Sequence, residues 1–137
     1  MTNPTDQSFE MNDIIFQGID WPIILTFYES DDVTPMDLEG ALISFTVKPA
    51  YDDDDTDAAA YIALNTSDWV IDEDPDSTVP GVKNRISTVV PRAIVQTIPV
   101  GEHVQDLDII PLATGYLNTY GSGYLEVKAQ VGRRTPS

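Results

Sequence analysis

Apolar and polar residues alternate strictly through ALISFTVK, so Ile43, Phe45 and Val47 fall on one side of an extended chain and Ser44, Thr46 and Lys48 on the other. Period-two alternation marks a strand with one buried face. The same period recurs along the chain. Trp21, Ile23, Leu25 and Phe27 share a face, as do Ile62 with Leu64, Ile86 with Thr88 and Val90, Leu107 with Ile109, and Leu125 with Val127 and Ala129. Shorter strand signals lie in DIIFQG and around Trp69–Ile71. Val104 is out of phase with Leu107 and Ile109, which leaves its facing open. Pro22 cannot donate to a ladder, so the strand it opens starts at or near a sheet edge. Ile24, Leu42 and Val89 sit on outward faces, where a cluster of them would mark an interface.

Turn chemistry separates these segments. Asp37-Leu38-Glu39-Gly40 reads as a tight corner, with Leu38 turned into the core and Gly40 permitting the turn. Pro91 opens a segment, Arg92–Thr97, that allows one helical turn before Pro99 ends it. ATGYLNTYGSG reads as a hairpin turn carrying Tyr116 and Tyr120. Seven or eight short strands, with no helix beyond that turn near 92–97, predict an all-β fold: a single antiparallel β-sandwich. The domain is expected over 13–131, between an N-terminal arm at 1–12 and a basic C-terminal tail at 132–137.

Charge changes the picture of partners. The chain of 137 residues has a formal net charge of −16. Residues 1–82 hold 19 acids and one base, whereas residues 83–137 hold four acids and six bases, so the two parts carry −18 and +2. Phosphate backbones and anionic membranes would be repelled, so neither nucleic acid nor membrane is an expected partner. Opposed fields of this kind steer and register protein subunits. Cysteine is absent, which excludes disulfides, thiolate metal sites and a thiol nucleophile. The opening residues lack the basic and apolar regions of a signal peptide.

Candidate chemistry is sparse. The one histidine, His103, has neither a second histidine nor a cysteine beside it. Sequence leaves a Ser87–His103–Asp106 arrangement open, but there is no nucleophile elbow. The runs Asp52–Asp57 and Asp72–Asp76 could offer calcium several oxygens, yet neither has the spacing of an EF-hand loop. Both read as solvated loops. No catalytic residue, cofactor or metal site is assigned. Tyr28, Tyr51, Tyr61, Tyr116 and Tyr120 fall outside the inferred core and could stack on sugars or anchor an interface.

The ordered set of pieces resembles the small immunoglobulin-like β-sandwich of tailed bacteriophages, found in baseplate upper proteins and in tail and fibre-network proteins. The residues that carry this are Gln17-Gly18, the strand from Trp21, Asp31-Asp32, Pro35, and Asp37-Leu38-Glu39-Gly40-Ala41. They continue with Asn84-Arg85-Ile86, Pro91, Ile98-Pro99-Val100-Gly101, Asp106-Leu107-Asp108-Ile109 and the Gly123-led last strand. The chain departs from the pattern at Asn84 and at His103, where an aromatic is usual. It also departs in its acidic insertions at 52–57 and 72–76. The resemblance implies a non-enzymatic structural protein of a virion, made in a host bacterial cytoplasm. It would act as an adaptor in a tail, baseplate, collar or fibre network. Its expected partners are other virion proteins or copies of itself in a large symmetric assembly. Independently of the resemblance, the charge split marks Arg133 and Arg134, and the turn they flank marks Tyr116 and Tyr120, as candidate interface residues. The alternative is a host-surface glycan-binding module using loop tyrosines, with calcium as its candidate ion.

Overall fold

The structure, a computed structural model, describes residues 9–29, 33–49, 60–77, 79–112 and 114–129; of residues 9, 10 and 118–120 it describes the backbone alone. The strands in chain order are β1 (Phe9–Glu10), β2 (Asp13–Phe16), β3 (Trp21–Thr26), β4 (Leu42–Lys48), β5 (Ile62–Leu64), β6 (Val70–Asp72), β7 (Arg85–Val90), β8 (Gly101–Ile110) and β9 (Asn118–Lys128). A single helical turn, α1 (Arg92–Val95), joins β7 to β8, and a 3-10 turn at Thr66–Asp68 joins β5 to β6. One sheet runs β1-β9-β8-β4-β5, with β2 also on β9, and the other runs β3-β7-β6. This partition into two sheets is that of an all-β sandwich-like fold.

The alternating faces meet between the sheets. Ile43, Phe45, Val47, Leu107, Ile109, Leu125 and Val127 from the larger sheet pack with Trp21, Ile23, Phe27, Ile86 and Val90 from the smaller, and Leu25 is partly buried against them. Phe45 lies edge-on to two indoles across the gap, Trp21 at 5.9 Å and Trp69 at 6.0 Å between ring centroids. Such edge-to-face pairs add about 0.5–1.5 kcal/mol each beyond burial. β3 is an edge strand, where the missing amide of Pro22 is tolerated. Leu38 is buried, and the Ala41 amide donates to the Leu38 carbonyl at 3.0 Å with Gly40 at φ 77°, the left-handed position that a type II turn requires.

Several expectations are corrected. The larger sheet is mixed rather than purely antiparallel, because β1 and β2 pair with β9 in parallel. The described strands number nine. The arm expected over 1–12 is part of the sheet from Phe9 onward: β1 lies on Gly121–Ser122, and the Met11 amide donates to the Ser122 carbonyl at 2.9 Å. Ala129 is exposed, because β9 ends at Lys128 and β8 begins opposite Val127, which leaves no neighbour to bury it. Thr88 is half-buried and uses its hydroxyl to reach the Asp68 carbonyl at 2.8 Å. Val104 is buried, and it alternates with the core residues on β8, so it belongs to the outer side of the larger sheet.

Candidate interaction surfaces

The three residues of the open catalytic arrangement do not converge. Ser87 faces outward on β7, between the buried Ile86 and the half-buried Thr88. His103 points inward from β8, whereas Asp106 alternates to the outer side of the same strand. The His103 ring is structural: Nε2 lies 2.7 Å from the Pro99 carbonyl, and Tyr61 stands edge-on at 5.0 Å. A carbonyl can only accept, so Nε2 carries the proton.

The carboxylates at 72–76 are engaged in their own loop. Asp72 accepts the Glu73 amide at 2.7 Å, Asp74 accepts the Asp76 amide at 3.0 Å, and Glu73 accepts the Gly81 amide at 2.7 Å. The Tyr28 hydroxyl donates to the second oxygen of Asp74 at 3.0 Å. That bond, then burial, then the Asp74 charge, raise the Tyr28 phenol above its usual pKa. Among the described residues no group of three or more histidines or carboxylates is arranged to hold a metal ion. The Asp52–Asp57 run lies outside the described residues.

Among the described residues, exposed apolar side chains include Ile14, Phe16 and Tyr124 on the outer side of the larger sheet, and two further groups. The first is the tip of the β8–β9 hairpin. Its loop is tightened by the Gly115 amide donating to the Pro111 carbonyl at 2.8 Å, with Gly115 at φ 68°, and by the Tyr116 amide donating to Thr114 Oγ1 at 3.3 Å. This small loop cannot fold its own side chains under itself, and Leu112, Tyr116 and Leu117 are 74%, 70% and 65% exposed. The Gly40 turn brings β4 alongside: a side chain at Gly40 would meet Leu112 Cδ2 at 3.0 Å, and Leu42 follows two residues later, also exposed.

The second is the outer face of the β3-β7-β6 sheet. Register places Ile24, Ser87 and Val70 in one row, Pro22 beside Val89 in the next, and Thr26, Arg85 and Asp72 in a third. Ile24, Val70 and Val89 are 63%, 60% and 58% exposed. Leu42, the third outward apolar residue expected from the pattern, belongs instead to the hairpin tip.

Of the interface residues inferred from sequence, Tyr116 sits in the first cluster. The side chain of Tyr120 and the whole of Arg133 and Arg134 lie outside what is described. Sequence reasoning missed Leu112, Leu117 and Val70. Leu112 and Leu117 carried a signal, since both are large apolar residues inside a Gly- and Thr-bearing turn, where no strand alternation would bury them. Among the described residues no helix is long and apolar enough to cross a membrane. No family model and no curated protein sequence matches the chain.

Proposed function

We propose that this chain is a non-enzymatic structural protein of a tailed-phage particle, an adaptor that joins neighbouring subunits in a tail, baseplate, collar or fibre network. The observation that carries the adaptor reading is the hairpin tip. Leu112, Tyr116 and Leu117 stand in water next to Leu42 on a loop braced by two internal hydrogen bonds. Burying such surface in a neighbour gains about 25 cal/mol per Å2, and a braced loop loses little freedom when it docks.

What supports the phage placement is the ordered motif set from Gln17-Gly18 to the Gly123-led strand. Its members occupy fold positions in the sandwich: Gly40 makes a type II turn, Pro91 precedes the helical turn, and Gly123 is where β9 crosses the incoming chain. The test is quantitative mass spectrometry of purified particles carrying either the wild-type chain or Leu112→Asp with Leu117→Asp. The wild type should be present at a fixed copy number. The variant should fold in isolation yet fall by about tenfold or more in particles, the loss expected for roughly 1.4 kcal/mol of docking energy. Absence of the wild-type chain from purified particles would sink the phage reading. Full incorporation of the variant would sink the role of the tip.

A further inference from the structure

We infer that the C-terminal segment of this chain, residues 130–137, docks on the outer face of the chain's own larger sheet, where Arg133 and Arg134 meet the carboxylates of Glu102 and Glu126. The inference rests neither on the hairpin tip nor on the phage placement.

The site is built around a like-charge pair. Register sets Glu102 on β8 directly opposite Glu126 on β9, and both are exposed on the outer side of the sheet. Like charges at directly opposed positions destabilise a sheet. Among the described residues neither carboxylate has a hydrogen bond or an ion pair. Apolar side chains border the pair. Ile14 on β2 continues the same row beside Glu126; Phe16 and Lys128 form the next outward row on one side, and Tyr124 and Val104 the next on the other. Ile14, Tyr124 and Phe16 are 57%, 50% and 42% exposed. The patch therefore suits a segment that brings two cations, no acid and some apolar surface.

The chain supplies one such segment. The stretches outside the described residues are 1–8, 30–32, 50–59 and 130–137, with the single positions 78 and 113, and of these only 130–137 contains a base. It carries Arg133 and Arg134, no acid, and Val131 just ahead of them. It also starts beside the patch, because the described chain leaves the sheet at Ala129, three residues past Glu126. Glu126 and Ala129 are separated by about 10 Å of strand at ~3.4 Å per residue. The four steps from Ala129 to Arg133 span up to ~14 Å when extended, and Gly132 permits the reversal. Glu102 lies only ~5 Å beyond Glu126 across the ladder, so the two guanidinium groups can serve the two carboxylates through charge-assisted hydrogen bonds. The tail of another copy would bring a chain of net charge −16 with it. The chain's own tail is tethered next to the pair and acts at a high effective concentration.

Paramagnetic broadening in the full chain tests this. The sequence has no cysteine, so Ser137→Cys places a nitroxide at one position. At about 0.01 M salt the amides of Ile14, Phe16 and Glu102 should be broadened, and the effect should fade toward 1 M, where the screening length is only ~3 Å. Leu42 and Ile110, paired at the opposite end of the sheet, should stay sharp. Arg133→Gln with Arg134→Gln should cut the broadening by about threefold or more, as should Glu102→Gln with Glu126→Gln. Exchanging the charges, with Glu102→Arg and Glu126→Arg set against Arg133→Glu and Arg134→Glu, should restore it. All four positions lie outside the core, so each variant should keep the wild-type far-UV circular dichroism. Broadening that ignores both neutral pairs of substitutions would overturn the inference, as would a failure of the exchanged chain to regain it. Broadening centred on residues 52–57 would place the tail on the acidic loop instead. Broadening of an unlabelled, isotope-enriched chain by a labelled one would place it on a second copy. Either result would also overturn the inference.

Discussion

Phe45 joins the two sheets through side-chain contact alone, wedged edge-on between Trp21 and Trp69. Truncation to alanine removes both ring contacts and leaves a hole bounded by indoles too large to close over it. Phe45→Ala should cost ~3–5 kcal/mol in chemical denaturation. Asn84 does comparable work with hydrogen bonds. Fully buried, it donates to the Phe27 carbonyl at 3.2 Å and accepts the Asp74 amide at 3.2 Å, so it ties the end of β3 to the acidic loop. Asn84→Ala strands both groups and should cost about 1–3 kcal/mol. Tyr28 gives this region a readable pH signature. Its phenol is held protonated by Asp74, so the folded pKa lies above the unfolded one. The corresponding stabilisation is fully present below the unfolded value of about 10, and is lost as pH rises through the folded value. Ultraviolet titration should show one tyrosine ionising late, and Asp74→Asn should bring it back toward the others.

At the level of elements, the crossing of the β1–β2 segment over β9 is the least ordinary feature. The Gln105 side chain, buried on β8, donates to the Met11 carbonyl at 2.8 Å and to the Asp13 carboxylate at 2.8 Å, while Asn12 Oδ1 accepts the Tyr124 amide at 2.9 Å. A side chain at Gly123 would collide with the Met11 carbonyl and approach Asn12 Oδ1 to 2.7 Å, so the backbone there must be bare. Gly123→Ala should destabilise by about 1–3 kcal/mol. The loss should be local first. Hydrogen exchange at the Met11 and Tyr124 amides should accelerate well before exchange in β4 or β8. Uniform acceleration across the fold would show instead that the crossing is no separate unit.

For the molecule as a whole, a net charge of −16 makes the compact state repel itself. The ion pairs Lys83–Glu39 at 4.0 Å and Arg85–Asp72 at 3.8 Å are loose and partly exposed, and contribute little. Raising salt from about 0.01 M to 0.1 M shortens the screening length from ~30 to ~10 Å. Stability should therefore rise with salt, by about 1 kcal/mol or ~3 °C in Tm, whereas a fold held by its ion pairs would lose stability. A calorimetric series in sodium chloride decides between the two.

The strand set was legible in the sequence because a half-buried strand writes its period into neighbouring residues: Ile43, Phe45 and Val47 announce their face without reference to anything distant. The Gly40 corner and the Pro91-led helical turn were legible for the same local reason, since their backbone angles depend on the residue types themselves. What lies next to what is decided only across the fold. Nothing near Phe9 or Asp13 in the chain says that they join β9 in parallel more than a hundred residues later. Nothing near Asn84 or Gln105 says which carbonyls they satisfy. The two exposed clusters follow the same division. Ile24 and Val89 were each visible as outward apolar residues, but their sharing of a face with Val70 comes from the register of three strands. The removal of Leu42 to the hairpin tip comes from the packing of the β8–β9 loop against Gly40. Alternation states whether a side chain points in or out; only pairing between distant strands states what it faces.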